Sequence, residues 1–307
     1  MTHKAAFVAI VGRPNTGKST LVNALVGEKI VITSHHPNTT RNAIRGIVTR
    51  PDFQLVVVDT PGVHKPKTLL GGALNSIVNE NMESVDAIVL CIPAVEAIGA
   101  GDLFIAKEMA RHRSAKKICA ITMIDMAKKA LMPEQLIAAS KLAQDAGFAW
   151  DEVVPLSAKT DDQVQLLMDL LAKYAPDSPP FYPADMNSDQ ELNTQIADLI
   201  REAAIEDVFE EVPHSIAVII DEISERDKRV EGDTPFFDIH ASIIVERDSQ
   251  KAIIIGHKGE RLKQVGTVAR GEIEKKLKAR VFLGLHVKVM ANWQSDSKAL
   301  LKLGFTR

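Results

Sequence analysis

The sequence predicts a mainly parallel α/β domain, with helices on both faces of its sheet, followed by a smaller α+β domain. Two observations lead to this fold class. Up to about residue 175, short apolar runs alternate with segments of helical periodicity, as in a parallel sheet covered on both faces. A proline-rich stretch then separates this pattern from a second, different order of elements. We therefore divide the chain into residues 1–175, a linker at 176–188 and a second domain at 189–307.

The apolar runs and helical segments of the first domain alternate along the chain. Strands are predicted at Ala6–Val11, Phe53–Val58, Ala87–Ile92, Ile118–Ile124 and Val153–Leu156. Helices are predicted near Lys18–Leu25, Leu69–Val85, Leu103–Arg113, Pro133–Ala146 and Asp162–Tyr174. One segment departs from the alternation: Arg41–Arg50 is separated from the second apolar run only by Pro51-Asp52, a turn signal. It predicts a hairpin that adds one antiparallel edge strand.

The second domain follows Ala175–Pro183, which holds four prolines in nine residues and is typical of a semi-rigid linker. Beyond it, one amphipathic helix is expected near Asp189–Glu211. The remaining pattern predicts strands at Ser215–Ile223, Phe237–Val245 and Val281–Met290, and helices at Arg261–Leu277 and Ser297–Leu303. By propensity alone, Ala252–Ile255 is also a strand.

Composition narrows the class of protein. The 307 residues are 46% hydrophobic and 25% charged, which excludes a disordered chain. The longest apolar runs fall short of the roughly 18–20 residues of a membrane span. The two cysteines, Cys91 and Cys119, lie in apolar runs and are expected to be buried thiols rather than a disulfide. We expect a cytosolic protein.

The charge is unevenly distributed. Residues 185–250 carry 5 basic and 18 acidic side chains, a net charge of −13, whereas residues 251–307 carry 13 basic and 4 acidic ones, a net charge of +9. The asymmetry indicates either a polyanion-binding surface near the C-terminus or two segments that pair with each other.

A phosphate-binding motif opens the first domain. Gly12–Ser19 matches G-x-x-x-x-G-K-[ST], and it follows a predicted strand and precedes a predicted helix. Glycines let backbone N–H groups converge on a phosphate, and the helix N-terminus adds partial positive charge. Lys18 is expected to reach the β- and γ-phosphates of a nucleotide, and the Ser19 hydroxyl is expected to bind Mg²⁺.

Two further segments belong with this motif. Asp59-Thr-Pro-Gly62 ends a strand about 40 residues after the phosphate loop, where a carboxylate faces Mg²⁺ and Gly62 N–H can contact the γ-phosphate. Between them, Asn38–Arg41 offers Thr39 and Thr40. Loops at this place present a threonine to Mg²⁺ when the γ-phosphate is bound, although a capped turn is the alternative.

Recognition of the base is assigned to two strand ends. Asp125 closes Ile121–Asp125, where its carboxylate can accept from N1 and N2 of guanine. Ser157-Ala-Lys159 can offer the Ala158 N–H to the guanine carbonyl. Because adenine lacks those donors, a buried aspartate at this place would select guanine.

The second domain carries Gly256-His-Lys-Gly259, between the Ala252–Ile255 run and a basic helix. A Gly-x-x-Gly loop in a KH domain clamps backbone nucleotides, with the preceding run as the end of a helix. Alone, the motif is equally consistent with a structural turn. Its surroundings resemble the type II KH arrangement, and the candidate RNA contacts are Gly256, His257, Lys258, Gly259, Arg261, Lys263 and Arg270.

Taken together, these motifs resemble those of the Era family of GTPases, and the resemblance extends over nearly the whole chain. The resemblance rests on Gly12–Ser19, Asn38–Arg41, Asp59–Lys67, Ser157–Lys159 and the KH-like region. It implies a P-loop GTPase domain and a type II KH domain, bound Mg²⁺, GTP or GDP, and single-stranded RNA from the 3′ end of small-subunit ribosomal RNA. It further implies a monomer that assists small-subunit assembly without binding DNA, with weak association at the inner face of the cell membrane. The implied nucleotide contacts are Gly12, Asn15, Thr16, Gly17, Lys18, Ser19, Thr20, Thr39, Thr40, Asp59, Gly62, Thr122, Met123, Asp125, Ser157, Ala158 and Lys159.

Two residues depart from the usual GTPase pattern. Where the family has Asn-Lys-x-Asp, this chain has Thr122-Met-Ile-Asp125, so Met123 lacks the ammonium that ties this loop to the phosphate loop. Val63 stands where Ras-like proteins have a water-orienting glutamine. No general base is assigned, and Thr40 and Gly62 are expected only to position the nucleotide and its metal ion. Slow intrinsic hydrolysis of GTP is therefore expected. Asn15 is the candidate ligand for a potassium ion. The alternatives are an RNA tether with negligible hydrolysis and an ATP-using P-loop protein.

Overall fold

The computed structural model of the chain describes residues 3–33, 44–60, 82, 84–206, 208, 215–226 and 234–303. It divides into two compact units, the first ending at Asp189 and the second beginning at Gln190. In the described part of the chain, no helix is both long and apolar enough to cross a membrane.

The first unit is built on a six-stranded sheet. Its strands are β1 (Lys4–Val11), β2 (Ile44–Thr49), β3 (Phe53–Asp59), β4 (Ala87–Pro93), β5 (Lys116–Thr122) and β6 (Glu152–Pro155). Their order is β2-β3-β1-β4-β5-β6. The pairs from β3 through β6 are parallel, and β2 pairs antiparallel with β3. The predicted parallel sheet with one antiparallel edge strand is therefore confirmed.

Helices cover both faces of this sheet, as predicted, and the further helix predicted near Leu69–Val85 lies almost entirely outside the described residues. They are α1 (Lys18–Val26), α2 (Ala100–Arg111), α3 (Met132–Ala146) and α4 (Val164–Tyr174). Leu21 of α1 and Leu167 of α4 belong to one core, and Ile105 of α2 and Leu142 of α3 belong to the other. Both cysteines are buried between the strands and neither forms a disulfide; burial raises the pKa of Cys91 to about 12. Cys91 and Cys119 belong to the hydrophobic cores on the two faces of the sheet.

The proline-rich segment contacts β1, β2 and β3 of the first unit. Gln54 of β3 is fully buried, and its side-chain oxygen accepts from the Phe181 and Tyr182 N–H groups at 2.7 and 3.0 Å. The Phe181 ring stacks on Phe7 with centroids 4.8 Å apart. Further along, Ile47 N–H donates to the Asn187 carbonyl at 2.9 Å. The predicted linker is thus held by β1, β2 and β3 along most of its length.

The second unit is a three-stranded sheet with helices against one face. Its elements are α5 (Leu192–Ile205), β7 (Ala217–Glu225), β8 (Phe236–Val245), α6 (Asp248–Ile255), α7 (Glu260–Leu277), β9 (Arg280–Val289) and α8 (Ser297–Lys302). The strand order is β7-β8-β9, with β7 antiparallel and β9 parallel to β8. This order of helices and strands confirms the predicted type II KH arrangement.

The segment Ala252–Ile255 is the end of helix α6, as the KH resemblance predicts, and not the strand that propensity alone favours. Gln250 in the first turn accepts the Glu246 and Arg247 N–H groups at 2.8 and 3.1 Å, which fixes the start of the helix. Ile254 is buried against the sheet. Capping and burial together override the β propensity of the three isoleucines.

Candidate functional site

The phosphate loop has the backbone of an anion cradle. Gly12 and Gly17 have φ of 155° and 85°, and Asn15 has φ of 61°. A Cβ at Gly12 would come within 2.8 Å of the Cys91 carbonyl oxygen, so only glycine fits there. Helix α1 begins at Lys18, directly after this loop. The loop and the helix N-terminus therefore turn their N–H groups toward one point, as a bound phosphate requires.

Two side chains of the phosphate loop donate hydrogen bonds within the loop itself. Lys18 is buried, and its ammonium donates to the Arg13 carbonyl at 2.6 Å. Thr16 Oγ1 donates to the same carbonyl at 3.0 Å. Burial lowers the pKa of Lys18, and the nearby Asp59 carboxylate opposes that shift. A phosphate would give this buried cation a closer counter-charge.

The predicted magnesium ligands meet at the end of β3. Ser19 Oγ donates to Asp59 Oδ2 at 2.8 Å, and Asp59 is fully buried. A hydroxyl and a carboxylate are oxygen ligands of the type that Mg²⁺ prefers, so the residues present fit the ion. When bound, Mg²⁺ would neutralise charge on the β- and γ-phosphates. The next residue, Thr60, anchors this strand end by donating to the Ile10 carbonyl at 2.7 Å.

A residue of the motif that sequence reasoning did not single out braces the loop from outside. Arg13 Nε donates to Asp102 Oδ1 at 2.8 Å, and its Nη2 lies 3.0 Å from Glu96 Oε2. Asp102 is fully buried and also accepts the Gly99 N–H at the start of α2. The brace ties the phosphate loop to the segment that joins β4 to α2. Its two partners are about 80 to 90 residues away, and no spacing pattern would have found them.

The base-recognition residues meet at the ends of β5 and β6. Thr122 Oγ1 donates to the Thr16 carbonyl at 2.8 Å and joins this loop to the phosphate loop. Met123 follows in the left-handed conformation, with φ of 60°. Its Cε would lie 3.5 Å from a Cβ at Gly17, so the thioether reaches the phosphate loop. This loop therefore contacts the phosphate loop through the Thr122 hydrogen bond and the Met123 thioether.

Asp125 is positioned by its neighbour on the other loop. Ser157 Oγ donates to Asp125 Oδ1 at 2.7 Å, while Ser157 itself is buried. The expectation that Asp125 is buried is wrong: its side chain is exposed, because it lies in a short 3₁₀ turn at the strand end. Ala158 is half-buried and Lys159 is exposed. The carboxylate is oriented through Ser157, and burial of its second oxygen would come only from the base.

Three of the predicted nucleotide contacts, Thr39, Thr40 and Gly62, lie outside the described residues, as does Val63 at the glutamine position. Their roles stay predictions. Thr20 lies on α1 and is exposed.

The Gly-x-x-Gly loop joins two helices of the second unit. Gly256 ends α6 with φ of 72°, and Gly259 precedes α7 with φ of 82°. A Cβ at Gly256 would meet Arg261 Cβ at 2.7 Å, whereas a Cβ at Gly259 would meet nothing within 4 Å. The first glycine is therefore required for packing, and the second leaves open space for a ligand. His257 and Lys258 between them are exposed.

The other candidate cations of this unit differ in their surroundings. Lys263 and Arg270 of α7 are exposed, as a contact to a phosphate backbone requires. Arg261 is half-buried, and its Nη2 donates to the Glu206 carbonyl at 2.6 Å at the end of α5. Arg261 therefore has a structural contact within the domain, and its predicted contact with RNA stays a prediction.

Comparison with known proteins decides the family. Residues 7–125 match the family described as 50S ribosome-binding GTPase, and residues 211–294 match the KH domain. The chain is 52% identical over 303 residues to GTPase Era of Streptomyces coelicolor, covering 99% of this chain and 95% of that protein. The chain belongs to the Era GTPase family.

Solved structures agree with this assignment over the full length of the Era-family chain. One is Era in complex with MgGDPNP and nucleotides 1506–1542 of 16S ribosomal RNA, with a TM-score of 0.91 and 35% identity over 99% of this chain and 100% of that one. Another is a point variant of Aquifex aeolicus Era bound to GDP and AlF₄⁻, with a TM-score of 0.92 and 34% identity over the same shares. This Era-family protein is a GTPase, and the alternative of an ATP-using P-loop protein is rejected.

Proposed function

We propose that this Era-family GTPase is a switch that binds the 3′ end of small-subunit ribosomal RNA and assists assembly of the small subunit. The observation that carries the proposal is the presence of two built sites on one chain. The first is the phosphate loop with Ser19 and Asp59 meeting at 2.8 Å, and the second is the exposed Gly-x-x-Gly loop. A relative that is similar over its whole length was crystallised with both kinds of ligand.

Within this proposal, Mg²⁺ is bound by Ser19 and Asp59, with Thr40 as the third protein ligand. The exposed loop cations supply a sequence-independent affinity for the RNA backbone, and the small glycines allow close approach. A second candidate function is an RNA tether that senses nucleotide and hardly hydrolyses it. Met123 favours it, because this loop lacks the ammonium that the family uses.

Phosphate release under multiple turnover tests the proposal. We expect release from GTP and none above background from ATP. The rate should change when a single-stranded fragment of the ribosomal RNA 3′ end is added, and a DNA strand of the same sequence should have no effect. Binding of the RNA with turnover that never exceeds one phosphate per protein would instead favour the tether.

Potassium is expected to raise the rate of hydrolysis. Asn15 lies at the exposed tip of the phosphate loop, where an amide oxygen can hold a monovalent ion near the phosphates. Such an ion would offset developing charge that no catalytic side chain meets, since Val63 replaces the usual glutamine. The same assay in K⁺ and in Na⁺, at equal ionic strength, measures the effect. Equal rates in both salts, or an Asn15→Ala variant that keeps its K⁺ response, would contradict the prediction.

A further inference from the structure

The solvent side of the second sheet carries a cluster of rings and cations. On the core side, Ile239 and Ile243 of β8 and Val287 of β9 pack with the helices. Because side chains alternate across a strand, the residues between them project from the opposite side. We call this surface the ring face; it comprises Phe236, Asp238, His240 and Ser242 of β8 and Arg280, Phe282, Gly284, His286 and Lys288 of β9.

Aromatic rings lie at the centre of the ring face. Phe282 is 48% exposed, although it is a large apolar side chain. The His240 ring lies beside it, with centroids 5.9 Å apart and planes at 60°. His240 pairs in register with Gly284, and a Cβ there would approach His240 Nδ1 to 2.6 Å. Glycine at 284 therefore lets the His240 ring lie across β9, and the exposed ring of His286 follows two residues later.

Cations border these rings at one end. The Phe236 ring has the Arg226 guanidinium 4.3 Å from its centroid and the Arg280 guanidinium 5.2 Å from it. Arg226 is also hydrogen-bonded to Asp238, with Nη2 2.6 Å from Oδ1. Arg280 is exposed, and it forms no ion pair with any carboxylate among the described residues. Its charge is thus available on the surface and held in place by a ring.

The other end of the ring face has one further cation. Lys288 Nζ lies 3.5 Å from Asp221 Oδ1, and Asp221 also accepts from Ser242 Oγ at 2.5 Å. The pair is loose enough for a phosphate oxygen to compete for the exposed ammonium. Asp221 and Asp238 are each paired with a cation, whereas Glu222 of β7, which pairs in register with His240, adds an exposed carboxylate to this side of the sheet. A phosphate is therefore best received at Arg280, because β9 is the edge strand that lies away from β7.

This combination fits single-stranded nucleic acid better than another protein. Exposed rings offer a stacking surface to an unpaired base, and cations beside them reach the phosphates on either side of that base. A stable protein interface needs a contiguous apolar core, which Phe282 alone does not supply. A nucleic-acid double helix keeps its base faces stacked internally and could not use the rings.

We propose that the ring face is a second contact for single-stranded RNA, in which a base stacks on Phe282 while Arg280 contacts a neighbouring phosphate. The proposal rests on the RNA binding proposed above, and it extends the bound RNA beyond the Gly-x-x-Gly loop. RNA long enough to reach both sites then binds more tightly than RNA that fills the loop alone.

The test compares two RNA lengths on the full-length protein by fluorescence anisotropy. One strand has about four nucleotides, the length that a KH loop clamps, and the other has about 16, the upper end of single-strand sites. Phe282→Leu removes the ring and keeps the apolar volume. We expect it to lower affinity for the longer strand by about fivefold or more, the loss of one stacked base, and to leave the shorter strand unaffected. Phe282→Trp should keep the full affinity.

Two further variants distinguish loss of base stacking from loss of a phosphate contact and from a nonspecific effect of replacing an exposed phenylalanine. Phe104→Leu makes the same change at a phenylalanine of the first unit that is 53% exposed, and it should change neither affinity. Arg280→Gln should reduce the salt dependence for the longer strand by about 0.7 in the logarithmic slope, one phosphate contact on a single strand.

Two outcomes would overturn the proposal: unchanged affinity for the longer strand in Phe282→Leu, or an equal loss for both strands. The first would leave the ring face to a protein partner. If the shorter strand fails to bind while the longer one still depends on Phe282, the ring face is supported and the proposed role of the Gly-x-x-Gly loop fails.

Discussion

Replacing Asp125 by asparagine is expected to move the preference of the protein from guanine to xanthine nucleotides. In the native protein, we expect the carboxylate to accept from N1 and N2 of guanine, and adenine has no donors at these positions. GTP and GDP should therefore bind at least about tenfold more tightly than ATP and ADP, since a bound adenine would cover the exposed Asp125 carboxylate without donating to it, and an acceptor that is buried unpaired costs about 1–3 kcal/mol. Isothermal titration calorimetry with guanine, xanthine and adenine nucleotides measures both ratios.

The geometry around Ser157 explains why asparagine at position 125 should change the preferred base and not only weaken nucleotide binding. Ser157 Oγ donates to one oxygen of Asp125 at 2.7 Å. The amide oxygen of Asn at 125 can keep that bond, which turns its NH₂ toward the base. Xanthine has a carbonyl where guanine has an amino group, so a donor at this place finds an acceptor.

Asp161→Asn is the matched control, because it removes the same charge from an exposed neighbouring residue. Its backbone is in the left-handed region, with φ of 58°, which asparagine tolerates. It should leave both ratios unchanged. Met123→Lys, in the same loop as Asp125, should tighten all guanine nucleotides without altering selectivity, because an ammonium would restore the missing contact to the phosphate loop. Equal affinity of the native protein for ATP and GTP would contradict the assignment of Asp125.

The first domain could be predicted from the sequence because its strands are buried on both faces. A strand that is buried on both faces has an uninterrupted apolar sequence, as in Ala87–Ile92, and the polar residues of the motifs mark where each strand ends. The carboxyl ends of parallel strands lie at one edge of the sheet. The short motifs at Gly12, Asp59 and Asp125 each follow such a strand end, so they are expected to lie close together. The hairpin of β2 and β3 could also be predicted from neighbouring residues alone, because Pro51-Asp52 marks its turn.

The features that could not be predicted depend on contacts between distant residues. Gln54 is a single polar residue in an apolar run, yet its buried side chain binds the proline-rich segment 127 residues later in the chain. Arg13 reaches Asp102 in the same way. Propensity alone does not predict the helix end at Ala252–Ile255, which follows only from the KH resemblance, and the exposure of Asp125 was missed for a related reason. Capping by Gln250 and the position of a turn outweigh local propensity, and neither is encoded in periodicity.

Reversing the charge at the tip of the Gly-x-x-Gly loop is expected to abolish binding of single-stranded RNA. In His257→Asp combined with Lys258→Asp, two carboxylates would face the phosphate that the loop must approach. Both native side chains are exposed, and Gly259 beside them leaves open space. Each lost phosphate contact should also lower the salt slope of any residual binding by about 0.7. Fluorescence anisotropy with a short single strand at moderate salt measures the loss.

The nucleotide site and the fold should be unaffected by this change, because both side chains are exposed and the phosphate loop belongs to the other unit. GDP affinity and the unfolding temperature measured on the same sample check this. Lys275→Asp with Lys278→Asp is the control, since it reverses two exposed charges at the far end of α7 and should weaken RNA binding far less. If the loop variant keeps its RNA affinity, the Gly-x-x-Gly segment is a structural turn. The net charge of +9 from residue 251 onward would then serve to balance the −13 of residues 185–250 within the chain.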